Sequence, residues 1–159
     1  MLDEYLEFAR GQDAEEAVTT DLGGLLREVA GDARRGGHKV ELTIDGDMVL
    51  PLRRNGFKRG LTNLVGNALR FGTRVQIHAV RRSDAIDIAV DDDGPGIPEE
   101  HRADVFRPFH RLEHSRNPDT GGVGLGLSIA RDAARCQGGD ISLSVSPLGG
   151  LRALVRLPV

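Results

Sequence analysis

Alternation of apolar and polar side chains is the first pattern along the chain. Five stretches place apolar residues at every second position, with polar or charged residues between most of them: 40–44, 75–79, 86–90, 141–145 and 153–157. This period predicts strands with one buried face and one face toward water. The polar turn 81–84 joins the second and third strands, and Pro147-Leu148-Gly149-Gly150 joins the last two. Both pairs are predicted hairpins, so we expect a mixed, largely antiparallel five-stranded sheet.

Three further segments place apolar residues at helical spacing. The helices are expected over residues 21–36, 51–71 and 124–138. Asp21 is a candidate N-cap for the first, and Pro51 suits the first turn of the second. Their apolar faces are expected to carry Leu22, Leu25, Leu26 and Val29; Phe57, Leu61, Leu64 and Ala68; and Leu125, Ile129, Ala133 and Cys136. Helices that cover one face of a sheet predict an α/β (α+β) two-layer sandwich.

Two segments fall outside this pattern. Between Ile97 and Gly121 no period holds, and so long a stretch in a compact domain is a functional lid or disordered. Residues 2–10 look like the end of a further helix.

Composition narrows the class of protein. A chain of 159 residues suits one domain, and its net charge of −3 argues against a general nucleic-acid binder. The apolar runs are far shorter than the ~20 residues that a membrane span needs. A single cysteine, Cys136, leaves no disulfide, so we expect a reduced, cytoplasmic domain. Glycine is unusually frequent, at 21 residues, and aromatic residues make up only 4%.

Polar residues lie on one stripe of the second predicted helix. Asn63 and Asn67 are one turn apart, and Arg70 and Phe71 follow on the same stripe, away from the apolar face. Asparagine is a mediocre helix former. The stripe is either a solvated polar face or a set of amide oxygens for a polar ligand or a hard cation such as Mg²⁺.

An acidic, glycine-rich turn follows the third predicted strand. Its sequence is Asp91-Asp92-Asp93-Gly94-Pro95-Gly96-Ile97-Pro98. An EF-hand calcium loop fails on spacing, because Pro95 and Arg102 stand where calcium ligands are needed. Besides a plain acidic turn, the pattern suits a buried carboxylate next to glycines that let a flat ligand approach. A carboxylate accepts a hydrogen bond from an exocyclic amine such as that of adenine.

A second glycine cluster, residues 121–128, leads into the third helix. It lacks the Gly-Lys-Ser/Thr ending of a P-loop, and Leu127 stands where a dinucleotide fingerprint has its last glycine. Glycines that open a helix can still present free amides to phosphate.

Together, these clusters resemble a known family, the catalytic ATP-binding domain of sensor histidine kinases, with the Bergerat fold shared by gyrase, Hsp90 and MutL ATPases (GHKL). The matching boxes are Asn63-Leu64-Val65-Gly66-Asn67-Ala68, Asp92-Asp93-Gly94-Pro95-Gly96, Phe106-Arg107-Pro108-Phe109 and Gly122-Val123-Gly124-Leu125-Gly126-Leu127. The stretch from Pro51 to Asn67 is most similar to the osmosensor (EnvZ) type of transmembrane kinase. The resemblance implies a catalytic domain over residues 12–159, an ATP lid at about 97–121 and a dimerisation-helix remnant at 1–11.

The resemblance also implies a role for each matching residue. Asp92 binds the adenine amine with Phe71 near the base, Asn67 is the Mg²⁺ ligand, and Asn63 and Arg70 lie at the phosphates. Arg111 is the candidate lid cation, so Asn63, Arg70 and Arg111 are the expected catalytic residues. The remaining expected nucleotide contacts are Gly94, Gly96, Ile97, Phe106, Gly122, Val123, Gly124, Leu125, Gly126 and Leu127. The implied cofactors are ATP and Mg²⁺.

The residue at position 63, an asparagine, distinguishes the kinases from the ATPases within this wider group. The ATPase branch has a glutamate at this position that activates water, and an amide cannot accept a proton at neutral pH. Hydrolysis is therefore expected to be slow, and the family resemblance directs the γ-phosphate to a histidine on a dimerisation domain, then to a response regulator.

The chain's own histidines lack the setting of a phosphoacceptor. We expect the chain to be part of a membrane-anchored kinase, monomeric by itself, with no contact to nucleic acid or membrane. An ATP-driven clamp and a regulatory nucleotide-binding module without catalysis are the alternatives.

Overall fold

The computed structural model describes residues 15–107 and 126–159. The elements in chain order are β1 (Val18–Asp21), α1 (Leu22–Arg35), β2 (Lys39–Asp45), β3 (Val49–Leu52), α2 (Arg54–Phe71), β4 (Arg74–Arg81), β5 (Ala85–Asp92), α3 (Gly126–Cys136), β6 (Asp140–Val145) and β7 (Leu151–Pro158). Two short 3₁₀ turns, Glu99–His101 and Asp104–Phe106, follow β5. The predicted helix remnant at 1–11 and most of the predicted lid lie outside the described residues.

The main sheet has five strands in the order β2-β4-β5-β7-β6. β2 and β4 are parallel, and every other neighbouring pair is antiparallel. The turns 81–84 and 147–150 close the two predicted hairpins. β5 lies in the middle, and all its residues are buried. The mixed, largely antiparallel sheet is therefore confirmed, and its central strand ends at Asp92.

The three helices pack on one face of this sheet and enclose the core. Representative core side chains are Leu22, Leu26, Phe57, Leu64, Ile77, Ile88, Ile129 and Val155. α2 and α3 approach closely, because a Cβ on Gly60 would lie only 2.6 Å from the Cβ of Ala133. The two-layer sandwich is confirmed.

The start of α2 differs from the prediction. Pro51 is not in a helix: it belongs to β3, which pairs with β1 in a separate antiparallel two-stranded sheet, and α2 begins at Arg54. Leu50 and Leu52 are buried while Val49 and Pro51 are exposed, which is strand alternation over a very short run. A proline is tolerated in such a short edge strand.

The end of α3 also differs from the prediction. Cys136 was expected in the core, but it is exposed at the last residue of the helix. The buried face ends earlier, at Ala133 and Ala134.

The N-terminus of α1 follows the prediction. The carboxylate of Asp21 accepts a hydrogen bond from the main-chain N–H of Gly23 at 3.0 Å, as an N-cap does. Among residues 15–107 and 126–159, no helix is long and apolar enough to cross a membrane.

α2 has no such cap of its own. Arg53 makes no capping hydrogen bond, and the first turn has no acidic residue. Instead, the Glu15 carboxylate accepts the N–H groups of Asn55 at 2.7 Å and Gly56 at 2.8 Å. A carboxylate from the segment before β1 thus satisfies two unpaired donors and the positive end of the helix dipole.

We predict that Glu15→Ala lowers the free energy of unfolding by about 1 kcal/mol, the usual value of a helix cap. Glu16→Ala is the control, since Glu16 is exposed and makes no hydrogen bond within the described part of the chain. Urea unfolding of both variants measures the difference. Equal stabilities would contradict the capping role.

Candidate functional site

Three consecutive aspartates at the end of β5 have three different environments. Asp91 points to the outer face of the sheet, where its two oxygens accept hydrogen bonds from Arg152 at 2.8 and 2.9 Å. Asp92, one residue later, points to the opposite face, as strand alternation requires. Asp93 lies on the surface beyond the strand. The alternation therefore directs one of the three carboxylates into the domain.

Asp92 is a buried carboxylate, 3% exposed. Its Oδ1 accepts the main-chain N–H groups of Gly94 at 2.9 Å and Leu151 at 3.1 Å. Its other oxygen, Oδ2, accepts no hydrogen bond from any residue that the structure describes. Burial raises the pKa of Asp92, partly offset by these two N–H donors. Within the described part of the chain, the site thus offers one buried acceptor without a partner.

Glycines surround this carboxylate because no side chain would fit. A Cβ on Gly150 would lie 2.1 Å from Asp92 Oδ1, and a Cβ on Gly94 would lie 2.6 Å from the carbonyl oxygen of Phe71. Gly96 adopts a φ of 73°, in the left-handed region, with the Gly150 carbonyl oxygen 3.4 Å from where its Cβ would be. The loop after β5, the β6–β7 turn and the end of α2 therefore meet main chain to main chain around Asp92.

The end of α2 supplies the polar stripe predicted from sequence. Asn63 and Asn67 are half-buried, and Arg70 and Phe71 are exposed, Phe71 at 37%. Asn63 donates its amide N–H to the carbonyl oxygen of Arg59 at 2.8 Å. The Asn67 amide makes no hydrogen bond within residues 15–107 and 126–159, so its oxygen is available as a ligand.

The beginning of the predicted lid is docked on α3. Val105 is buried in the core, and Ile97 and Phe106 pack against it. The guanidinium of Arg131 lies 4.2 Å from the centre of the Phe106 ring, a cation–π contact. Arg131 also donates to Asp140 at 3.0 Å. Burial raises the Asp140 pKa, but hydrogen bonds from Arg131, Ile141 and Arg135 outweigh it and lower the pKa to about 2.

Only part of the second glycine cluster is described. Gly126 is the first residue of α3, and the Leu127 side chain lies in the core at 6% exposure. Any nucleotide contact of Leu127 therefore falls to its main chain. The predicted contacts Arg111, Gly122, Val123, Gly124 and Leu125 lie outside the described residues.

Two groups at the site were not predicted from sequence. Gly150 ends the β6–β7 turn and lies against the Asp92 carboxylate, and the N–H of Leu151, the first residue of β7, donates to Asp92 from 59 residues away along the chain. From the sequence, the Gly149-Gly150 pair is predicted only to lie in a hairpin turn. The signal that could have indicated this contact was a glycine pair in a hairpin turn, at the same edge of the sheet as the acidic loop after β5.

A two-layer sandwich with helices on one face of a mixed five-stranded sheet is the architecture of the Bergerat class of ATP-binding domains. The family model "Histidine kinase-, DNA gyrase B-, and HSP90-like ATPase" matches residues 53–159. The chain therefore belongs to this family, as the sequence resemblance indicated.

The relatives are named sensor histidine kinases. Sensor histidine kinase CpxA of Escherichia coli is 42% identical over 106 residues, which cover 66% of this chain and 23% of CpxA. Sensor histidine kinase GtrS of Pseudomonas aeruginosa is 37% identical over 154 residues, covering 96% of this chain and 32% of GtrS. The chain thus spans a quarter to a third of these relatives. The similarity to CpxA is consistent with the osmosensor-type resemblance.

The fold agrees with a solved ATP-binding domain. The crystal structure of the ATP binding domain of PrrB from Mycobacterium tuberculosis superposes with a TM-score of 0.76 at 33% identity, covering 91% of this chain and 98% of that one. The predicted fold class is thereby confirmed at the level of the family.

We predict that Gly150→Ala lowers the free energy of unfolding by about 1–3 kcal/mol, because the added methyl group must displace the Asp92 carboxylate or main chain. Gly31→Ala in α1 is the control. Its Cβ would meet only a flexible arginine tip at 3.5 Å, and alanine favours the helix by up to about 1 kcal/mol. Denaturant unfolding should give opposite signs for the two variants, and a stable Gly150→Ala protein would contradict the packing described.

Proposed function

We propose that this chain is the catalytic ATP-binding domain of a sensor histidine kinase. It binds Mg-ATP and transfers the γ-phosphate to a histidine on a separate dimerisation domain. The observation that carries the proposal is Asp92 Oδ2, which has no hydrogen-bond partner among residues 15–107 and 126–159. A buried polar atom without a partner is unusual and calls for one, and the exocyclic amine of adenine supplies a donor there. Guanine has a carbonyl at the same position, so a carboxylate selects adenine.

Phe71 and the glycine turn complete the site for the base. Phe71 is exposed next to Gly94, where its ring can contact a flat ligand. The family more often has tyrosine at this position, so here the base has an apolar contact without a hydroxyl. Gly94, Gly96 and Ile97 form the opposite side, where the absence of side chains at the two glycines allows the base to approach the main chain.

The polar stripe at the end of α2 fits a Mg²⁺ ion bound to the phosphates of a nucleotide. The unpaired oxygen of Asn67 is a hard ligand, and no cluster of three histidine, cysteine or acidic residues competes for a metal within residues 15–107 and 126–159. Mg²⁺ typically takes few protein ligands and completes its shell with phosphate oxygens and water. When bound, it neutralises charge on the phosphates. Arg70, exposed one turn beyond Asn67, pairs with the same phosphates.

Asn63 determines whether the γ-phosphate is transferred to water or to another nucleophile. Its amide has no basic group to take a proton from water, so the attacking nucleophile must come from elsewhere. Phosphoryl transfer needs mainly positioning and charge stabilisation. In this proposal Arg111 and the amides of residues 122–127 hold the phosphates, and Phe106 anchors the lid on α3.

The partners follow from the transfer reaction. The dimerisation domain of the same kinase presents the histidine and passes the phosphate to a response regulator. The parent kinase is membrane-anchored and dimeric, with this domain on the cytoplasmic side as a monomer.

The direct test mixes the domain with its cognate dimerisation domain and labelled ATP. We expect acid-labile phosphohistidine on the dimerisation domain and little free phosphate without it. Rapid hydrolysis by the domain alone would support a clamp ATPase instead. ATP binding without phosphohistidine would support a regulatory module.

We predict that Asp92→Asn weakens ATP binding by more than about tenfold, or about 1.4 kcal/mol, because a charge-assisted hydrogen bond is lost. The nucleotide-free variant should be at least as stable as the parent, since the asparagine oxygen can still accept both N–H groups and no charge is buried. Calorimetry and unfolding measure the two effects. Asp84→Asn, in the exposed β4–β5 turn, is the control with the same change of charge. Unchanged ATP affinity in Asp92→Asn would refute the adenine contact.

We predict that Asn67→Ala abolishes the gain in ATP affinity that Mg²⁺ gives the parent. Titrations with ATP in excess Mg²⁺ and in EDTA measure this difference for both proteins. Thr62→Ala is the control, because Thr62 is exposed on the same helix. A Mg²⁺ response equal to that of the parent would show that Asn67 is not the metal ligand.

A further inference from the structure

The carboxylate of Asp93 joins two segments of the chain next to the site. Its Oδ1 accepts the main-chain N–H groups of Thr73 at 2.7 Å and Arg74 at 3.0 Å, and its Oδ2 accepts the Thr73 hydroxyl at 2.8 Å. The hydrogen bond from the Arg74 main chain is the largest of the effects that lower the pKa of Asp93. All three donors belong to Thr73 and Arg74, which follow Gly72 after the end of α2.

The joined segments are in direct main-chain contact. A Cβ on Gly72 would lie 2.7 Å from Asp93 Oδ1 and 3.0 Å from the Cβ of Asp92. On the other side of Asp93, a Cβ on Gly94 would lie 2.6 Å from the Phe71 carbonyl oxygen. Because no side chain separates the segments, the hydrogen bonds of Asp93 fix how close the last turn of α2 lies to the loop after β5.

That last turn carries Phe71, and the loop carries Asp92. Phe71 and Asp92 form the two sides of the proposed adenine site. Asp93 follows Asp92 in the loop, and its hydrogen bonds join the loop to the segment that follows Phe71. Asp93 also has a cost, because its negative charge is one of the influences that raise the pKa of Asp92. The charge of Asp93 thus disfavours the charged form of the Asp92 carboxylate. The presence of an aspartate at this position is explained if its hydrogen bonds set the geometry of the site.

We propose that Asp93 is a positioning residue for the nucleotide: it holds Phe71 at the distance from Asp92 that an adenine ring requires, without contacting the nucleotide itself. This inference rests on the proposed ATP site.

Two substitutions at Asp93 separate positioning from charge. In Asp93→Asn, the remaining oxygen can accept both main-chain N–H groups, and the new amide N–H can donate to the Thr73 hydroxyl. In Asp93→Ala, all three hydrogen bonds are lost. We expect Asp93→Asn to bind ATP within about twofold of the parent and Asp93→Ala to bind about fivefold more weakly or worse, as expected when several hydrogen bonds are lost.

The control is Asp47→Ala. Asp47 is also an exposed aspartate that accepts a main-chain N–H, from Val49 at 3.0 Å, but it lies at the opposite end of the sheet. Calorimetry with ATP gives the dissociation constants, thermal unfolding gives the midpoints, and hydrogen exchange reports on the amides of Thr73 and Arg74. Asp47→Ala should lower the midpoint without changing ATP affinity.

The outcomes separate the two levels of the proposal. A parent domain that does not bind ATP refutes the proposed function and the inference together. If the parent binds ATP and Asp93→Ala binds it equally well despite faster exchange at Thr73 and Arg74, the positioning role alone is refuted. Equal losses of affinity in Asp93→Ala and Asp47→Ala, or no recovery in Asp93→Asn, would also refute it.

Discussion

A carboxylate at the buried end of a central strand must accept hydrogen bonds or be protonated. The geometry around Asp92 depends on this constraint. Two main-chain N–H groups satisfy one oxygen and leave the other for a ligand. Burial raises the pKa of Asp92 and penalises its charged form. Since the penalty is present above the raised pKa and disappears on protonation, the nucleotide-free domain carries a cost in stability at neutral pH. In the proposed complex, an amine donor on the ligand would offset this cost.

Several of the chain's glycines follow from the same constraint. The donors for Asp92 come from its own loop and from the distant β6–β7 turn, and both must approach at main-chain distance. Gly94 and Gly150 are required because any side chain would collide with Phe71 or with Asp92 itself. Gly72 has the same role at the end of α2, where Asp93 accepts its three hydrogen bonds. The site is therefore built largely from main chain, with few side chains of its own.

The sequence predicts local patterns well and distant contacts less well. Period-2 alternation located all five strands of the main sheet, and the cap at Asp21 located the start of α1, because both signals are carried by neighbouring residues. The short β1–β3 pair and the true start of α2 were missed, since four-residue strands are too short for a period and Glu15 caps α2 from another segment. For the same reason Asp92 was identified from its own loop, while the contribution of Gly150 and Leu151 was visible only in the fold.

In the proposed function, Asp92 recognises the exocyclic amine of adenine. The most direct measurement leaves the protein unchanged and alters the ligand: calorimetric affinities of the parent domain for ATP and for purine riboside triphosphate, which lacks only that amine. We expect the analogue to bind more than about tenfold more weakly, because the buried Oδ2 then gains no donor from the ligand and has none among residues 15–107 and 126–159. Equal affinities for the two nucleotides would contradict it.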